Sequence, residues 1–139
     1  MLSIELNGHI RWSDADAAGR LHFPRMFEYF EDAEAELLKK AGFGSERGEY
    51  DFPRVHVECQ FKSILALYAP FWLVARVGKL GRSSIRFDYQ VFADEARTMV
   101  ACEGSMTVVA VKNGKAVEMP RELREALGGT LRLEEHRHI

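Results

Sequence analysis

The chain has only two cysteines, no excess of basic residues and no long apolar run. Cys59 and Cys102 lie in apolar, strand-like segments without the CxxC or Cys/His spacing of a zinc site, so we expect buried free thiols. A formal net charge of −2 argues against a dedicated nucleic-acid-binding protein, because phosphate contacts need a basic surface. No stretch is long and apolar enough to span a bilayer, so no membrane association is expected.

Catalytic and cofactor signatures that spacing alone reveals are also missing. HExxH, GxSxG, a phosphate-cradling P-loop and the dinucleotide-binding glycine pattern do not occur. Residues 1–12 show no basic segment followed by an apolar core, so we expect no signal peptide and a cytoplasmic protein. With 139 residues and no internal repeat, the chain is predicted to form one domain over 1–139, with 130–139 as a frayed tail.

The clearest element that the sequence contains is a helix from Pro24 to the stop at Gly42. Proline suits the first helical position, and glycine after the last turn is a typical stop signal. Acidic residues fill the first turns and Lys39 and Lys40 the last, which suits the helix dipole. Apolar residues recur at spacings of three and four and form one stripe: Met26, Phe30, Ala33, Leu37 and Ala41.

One strand is predicted before this helix and four after it. They cover 3–13, 55–62, 71–80, 84–91 and 98–111, with a connecting loop at 44–53. Alternating apolar and polar residues along 55–62 predict a half-buried strand. Asn7-Gly8 is expected to interrupt the first as a bulge or turn, and Pro70 to break the ladder. Asn113-Gly114 is typical of a hairpin, and Pro120 is expected to begin a short helix ending at Leu127.

The order of these elements predicts an α+β fold. Successive strands joined by short turns are expected to pair antiparallel. The long helix can bury its stripe only against the concave face of their sheet, so we expect a helix wrapped by a curled antiparallel sheet. A small sheet exposes its edges unless they are paired or covered, which favours a dimer.

Asp14 and Asp16 are the strongest candidates for chemistry because they precede the start of the long helix. Unpaired N–H groups at a helix N-terminus can polarise a carbonyl oxygen. A carboxylate beside them can attack the carbonyl carbon or take a proton from an attacking water. Taken alone, Asp-x-Asp before a helix is also typical of turn and capping acids. We expect one of the two acids to take part in the reaction and the other to order the loop.

Three further residues are candidates for substrate binding. His22 could act as an acid or base, although a single histidine is more often packed or hydrogen-bonded. Arg82 and Ser83, in a glycine-containing turn, could contact a phosphate through a charged fork and a hydroxyl. A hairpin turn with a solvated arginine explains the same residues equally well. No metal site is predicted.

Residues 11–33, RWSDADAAGRLHFPRMFEYFEDA, resemble the 4-hydroxybenzoyl-CoA thioesterase branch of the hotdog-fold acyl-CoA thioesterases. The shared pattern is an aspartate pair, a small-residue turn ending in glycine, a hydrophobic stretch, an aromatic residue, a proline and a helix. The similarity continues more loosely through the later strands. It therefore covers most of the chain.

The resemblance implies a hotdog fold, in which a long helix lies in a curled antiparallel sheet. It implies acyl-CoA as substrate, no cofactor, and a homodimer or homotetramer with active sites between subunits. It places the catalytic carboxylate at Asp16 and the polarising N–H at Phe23, ahead of Pro24, which has none to give. Arg82 and Ser83 fall where relatives contact the CoA moiety.

Three positions depart from the pattern of the family. Arg20 stands where relatives usually carry an aliphatic residue, and His22 stands where an aromatic residue is usual. Phe23 stands where some bacterial members have a functional histidine. The hypothesis from the sequence is hydrolysis of acyl-CoA to a carboxylate and free CoA. Two alternatives stay open: a thioesterase or dehydratase that acts on acyl carrier protein, and a non-catalytic module that binds acyl-CoA.

Overall fold

The computed structural model describes residues 1–43 and 48–128, which form two α-helices and two antiparallel sheets. The helices are α1 (Arg25–Lys40) and α2 (Arg121–Gly128). The strands are β1 (Ser3–His9), β2 (Tyr50–Asp51), β3 (Arg54–Phe61), β4 (Pro70–Leu80), β5 (Ser84–Phe92), β6 (Val100–Val109), β7 (Val111–Lys112) and β8 (Lys115–Ala116). The predicted tail, 130–139, lies outside the described residues.

The main sheet has the strand order β1-β4-β5-β6-β3, and α1 lies against it. The predicted stripe is the buried face of the helix, since Met26, Phe30, Ala33 and Leu37 are all 0% exposed. The ring of Phe30 stacks on Tyr89 of β5, with centroids 4.2 Å apart. The predicted α+β architecture is confirmed.

Gly104 of β6 lets α1 approach the sheet this closely. A Cβ added there would lie 3.0 Å from the Phe30 ring and 2.3 Å from the backbone oxygen of Glu58 on β3. Any side chain would displace either the helix or the edge strand.

The first strand ends earlier than predicted, and its register has no interruption. β1 pairs with β4 without a break from Ser3 opposite Arg76 to His9 opposite Pro70. The expected bulge at Asn7-Gly8 is therefore wrong. Residues after His9 leave the sheet, and Trp12–Asp14 form one 3₁₀ turn. Pro70 begins β4 instead of breaking it, because a first strand residue can lack an N–H without loss.

The second predicted strand does not pair with the strand that follows it. β3 pairs with β6, and β4 pairs with β1 and β5, because residues 62–69 carry the chain from the β3 edge across to the position next to β1. β3 is thus an edge strand, and the prediction of a half-buried face was wrong. Its side chains Val55, Val57 and Phe61 are 61%, 48% and 46% exposed, since α1 packs chiefly on β1 and β4.

The elements after β5 agree closely with those predicted from the sequence. The predicted strand 98–111 is divided into β6 and β7, and the expected loop before β3 contains the short strand β2. Asn113 and Gly114 have φ of 54° and 77°, which confirms the predicted hairpin turn. α2 begins directly after Pro120, as expected. Neither helix of the described residues is long and apolar enough to cross a membrane.

Candidate active site

Asp14 is the residue that orders the loop before α1. It is 3% exposed, and its carboxylate accepts hydrogen bonds from the Tyr29 hydroxyl of α1 and from Arg11 Nε, the latter at 3.1 Å. Its backbone oxygen accepts the His22 N–H at 2.8 Å. Asp14 therefore ties together the loop, the start of the helix and its second turn.

The electrostatics of this pair fit a structural role. Burial raises the pKa of Asp14, but the hydrogen bonds from Tyr29 and Arg11 and the charge of Arg11 outweigh it, so the pKa lies below its usual value. Burial and the bond to Asp14 raise the pKa of Tyr29. Asp14 is thus a carboxylate and Tyr29 a neutral donor near neutral pH. Neither group is available for proton transfer.

Asp16 differs from Asp14 because only one of its two carboxylate oxygens accepts hydrogen bonds from the described residues. Oδ1 accepts the Ala18 N–H at 2.8 Å and the Arg20 N–H at 3.4 Å. The backbone closes the same turn, since the Asp16 N–H donates to the Arg20 oxygen at 2.7 Å. Gly19 supports this turn with a φ of +77°. Within the described residues Oδ2 accepts no hydrogen bond, so a fixed carboxylate presents one reactive oxygen.

The backbone N–H of Phe23 is unpaired in the part of the chain that the structure describes. The preceding N–H, of His22, is taken by Asp14, and Pro24 has none. Pro24 already has helical backbone angles, with φ of −65° and ψ of −23°, and α1 follows at Arg25. The arrangement leaves one free donor at the helix N-terminus, where a carbonyl oxygen is favoured.

Asp16 and Phe23 line the same cavity, of about 270 Å³. It lies between the Asp16 loop, the first turn of α1 and the ends of β3 and β6. Its other walls are Arg20, Leu21, Met26, Phe61, Ser63, Ile64, Leu65, Ala101 and Cys102. A larger depression of about 430 Å³ on the outer face of the sheet is lined mainly by charged and polar side chains and contains none of the candidate residues. Another depression, of about 490 Å³, is lined by Asp16 but not by Phe23. The candidate site is therefore the smaller, mostly apolar cavity, which both residues line.

The other predicted site residues lie outside this cavity. His22 is exposed, and its ring contacts the edge of Phe23 with centroids 5.7 Å apart. Arg82 and Ser83 form the predicted turn at the far end of β4, an 11-residue strand. A strand rises about 3.3 Å per residue, so this turn is roughly 30 Å from the Asp16 loop. Arg82 pairs with Glu118 at 3.8 Å. One chain does not bring the two regions together.

Several residues of the site were not singled out from the sequence. Tyr29 lies beside the apolar stripe of the helix, and a tyrosine in such a half-buried position needs a hydrogen-bond partner, which was a usable signal. Phe61, Ile64 and Leu65 became cavity walls only because residues 62–69 fold back over the Asp16 loop. The Leu21 N–H donates to the Leu65 oxygen at 2.8 Å, which joins the two segments.

Neither a metal cluster nor a disulfide contributes to this site. In residues 1–43 and 48–128, no three His, Cys, Asp or Glu side chains are grouped so that they could hold a metal ion. Both cysteines are free, as expected. Cys102 is buried in the cavity wall, whereas Cys59 on the edge strand is partly exposed, which corrects the expectation for that residue.

The chain is similar to several known proteins. The family model described as the thioesterase-like superfamily matches residues 10–127. A protein of Aquifex aeolicus (strain VF5), provisionally named an esterase, is 27% identical over 121 residues, which cover 85% of this chain and 92% of that protein. A crystal structure of a hypothetical protein from Aquifex aeolicus is 26% identical, with a TM-score of 0.82, and covers 89% of this chain and 98% of that one.

A more distant structure agrees in fold. The 1,4-dihydroxy-2-naphthoyl-CoA thioesterase of Synechocystis superimposes with a TM-score of 0.84 at 14% identity, covering 92% of this chain and 97% of that one. The family model spans the Asp16 loop, the long helix and four of the five strands of the main sheet. This chain therefore belongs to the thioesterase-like superfamily and has the hotdog fold that residues 11–33 implied.

Proposed function

We propose that the protein hydrolyses acyl-CoA thioesters to a carboxylate and free CoA. The observation that carries this proposal is that the open oxygen of Asp16 and the free N–H of Phe23 belong to residues lining one mostly apolar cavity. An apolar cavity suits an acyl group, and the two polar groups suit its carbonyl. Membership of the thioesterase-like superfamily and the CoA thioester in the name of the Synechocystis protein support the same substrate class.

The reaction follows from the two groups. The thioester carbonyl oxygen accepts the Phe23 N–H, and the positive end of α1 stabilises the charge that develops there. Asp16 Oδ2 then either attacks the carbonyl carbon or takes a proton from a water that attacks it. In the first route the C–S bond breaks, the CoA thiolate leaves, and water hydrolyses the acyl-aspartyl anhydride. In the second the thiolate leaves as the acid forms directly.

We also propose that a second copy of the chain completes the site. β3 is a free edge, and Val55, Val57 and Phe61 are exposed on it. Antiparallel pairing of two β3 strands would set the Phe61 end of one beside the Arg54 end of the other. Since Arg54 and the 81–83 turn lie toward the same end of the sheet, Arg82 of the second copy would approach the cavity. An arginine there suits the phosphates of CoA.

The test is release of free thiol from a panel of aromatic and aliphatic acyl-CoA thioesters. Asp16→Asn keeps the shape of the residue and removes the base or nucleophile, so kcat should fall roughly 10²–10⁴-fold. Glu36→Gln, which removes an exposed carboxylate of α1, is the matched control and should retain activity. An Asp16→Asn variant as active as wild type would show that this carboxylate is not the catalytic group.

The same acyl groups on acyl carrier protein separate the alternatives. Faster thiol release from the carrier protein would indicate a carrier-protein thioesterase. Loss of water from a 3-hydroxyacyl group on the carrier protein, without thiol release, would indicate a dehydratase. Binding of acyl-CoA with the thioester intact at high enzyme concentration would indicate a binding module.

A further inference from the structure

Arg20 brings a positive charge into the Asp16 cavity. Its Nε lies 3.9 Å from Asp16 Oδ2, and its side chain is 50% exposed. Within the described residues its guanidinium donates no hydrogen bond, so a charged fork of donors remains open beside the reactive oxygen. Besides Asp16, Arg20 and Ser63, the side chains of the cavity wall are apolar or sulfur-bearing.

The backbone fixes the position of this arginine. The Arg20 N–H donates to Asp16 Oδ1 at 3.4 Å, and its oxygen accepts the Asp16 N–H at 2.7 Å. On its other side Arg20 forms an isolated antiparallel bridge with Ala66, and the Leu67 N–H donates to the Gly19 oxygen at 2.9 Å. The backbone of Arg20 is therefore held from two sides, which fixes the point from which its side chain extends toward Asp16.

The distances limit what the guanidinium can reach. A reacting oxygen lies about 3–3.5 Å from the carbonyl carbon that it attacks. The Arg20 Nε, 3.9 Å from that oxygen, then lies within roughly 7 Å of the carbonyl carbon. Substituents on C2 or C3 of the acyl group extend roughly 2–4 Å from the same carbon. A hydroxyl or oxo group there that points toward the guanidinium can therefore reach hydrogen-bonding distance of it.

We propose that Arg20 selects acyl groups with an oxygen acceptor on C2 or C3, next to the thioester, and an apolar remainder. This inference rests on the proposed thioesterase function. The thioester oxygen has its own donor in the Phe23 N–H, and the phosphates of CoA lie at the far end of the pantetheine arm. Apart from Asp16 itself, the acyl substituent is the group of the substrate that Arg20 can bind. Beyond it the walls formed by Met26, Leu65 and Cys102 suit a hydrocarbon chain or ring.

The size of the preference follows from the type of bond. A hydrogen bond to a charged group strengthens binding by a factor of roughly ten or more. Because Arg20 is partly exposed, we expect a factor near the lower end of that range. A plain acyl chain leaves the guanidinium without this bond and displaces water from it. The preference should therefore be about tenfold in kcat/KM.

The test compares hexanoyl-CoA with 2-hydroxyhexanoyl-CoA and 3-hydroxyhexanoyl-CoA, by thiol release. Wild type should prefer at least one hydroxyacyl substrate about tenfold in kcat/KM. Arg20→Leu should bring that ratio toward one, and Arg20→Lys should keep part of it, because a cation remains. Arg76→Leu, which removes an arginine from the outer face of the sheet, should leave the ratio unchanged.

Two results would overturn this assignment while thioester hydrolysis itself stands. One is a wild-type enzyme that hydrolyses all three substrates equally. The other is an Arg20→Leu variant, folded by thermal denaturation, that loses the same factor on each, since the arginine would then act on Asp16 or on the carbonyl. Absence of thiol release from the whole acyl-CoA panel by wild type would instead overturn the proposed function, and the selectivity with it.

Discussion

The Tyr29 hydroxyl donates a hydrogen bond to the Asp14 carboxylate and so joins the second turn of α1 to the loop that carries Asp16. The backbone oxygen of Asp14 also accepts the His22 N–H. The next N–H, of Phe23, has no partner among the described residues. The two groups assigned to the reaction thus depend on a third residue that takes no part in it.

Replacing Tyr29 by phenylalanine should loosen this link. The variant leaves a buried carboxylate without one of its donors, which should lower the free energy of unfolding by about 1–3 kcal/mol. Small displacement of the loop should also lower kcat by roughly tenfold. Urea denaturation and steady-state kinetics measure both. Tyr68→Phe, which alters a tyrosine that is 64% exposed, is the control and should change neither. Wild-type stability in Tyr29→Phe would contradict the role of this bond.

Asp14 should make stability depend on acid pH. Its pKa in the folded protein lies below the usual value, because Tyr29, Arg11 and more weakly Arg25 favour the carboxylate over the opposing effect of burial. Ionised Asp14 therefore stabilises the fold above about pH 4, the range of an unfolded aspartate, and this contribution is lost as the pH falls through the folded pKa.

Urea denaturation between about pH 6 and 2.5 measures this dependence. Asp14→Asn should be less stable than wild type at pH 6, and the difference should shrink on acidification. The control is Asp51→Asn, which alters an exposed aspartate of β2. Curves for wild type and Asp14→Asn that stay parallel throughout would argue against this assignment.

The role of Phe23 belongs to its backbone and can be separated from its side chain. Phe23→Pro removes the free N–H and should lower kcat by roughly 10²–10³-fold, the range for an oxyanion donor. Phe23→Ala keeps the N–H and removes only the ring, so it should retain much more of kcat. Far-ultraviolet circular dichroism checks that α1 still forms. Equal losses in the two variants would assign the effect to the ring.

The exposed edge strand predicts an assembly. The chain has a mass of 15.8 kDa, and we expect a solution mass at least twice that value, because β3 offers unpaired backbone groups and exposed valines. Val57→Lys places a charge on this face and should yield monomers with little activity. Met99→Lys, at an apolar side chain that is 60% exposed in the turn before β6, should remain assembled. A fully active wild-type monomer would contradict the shared site.

The long helix was predictable because it depends on neighbours in sequence. The apolar stripe repeats with the period of a helix, and Pro24 marks its start. Asp16 and Phe23 are seven positions apart, so a single turn and the first residues of α1 decide how they are presented. The resemblance in residues 11–33, and not the spacing, singled out this pair for the reaction.

The strand order and the burial of each strand were harder to predict from the sequence, because they depend on strand pairing across the whole chain. Alternation along 55–62 correctly predicted a strand but placed its valines in the core. Whether such a face is buried depends on where α1 lies and on which edge the strand takes. Pro70, predicted to stand just before the strand at 71–80, is the first residue of β4, because a proline is accepted at the first position of a strand.

By itself the sequence determined the α+β class, the amphipathic helix and the acidic loop before it, because these follow from periodicity and local backbone preference. Only the tertiary structure decided that Asp14 accepts a hydrogen bond from Tyr29, whereas Asp16 has one oxygen that accepts none from the described residues. It also decided that Arg20 lies beside that oxygen. Only the tertiary structure shows that Arg82 lies the length of a strand away from the cavity of the same chain. These relationships join residues that the chain brings together only when the loop, the helix and both edges of the sheet are in place.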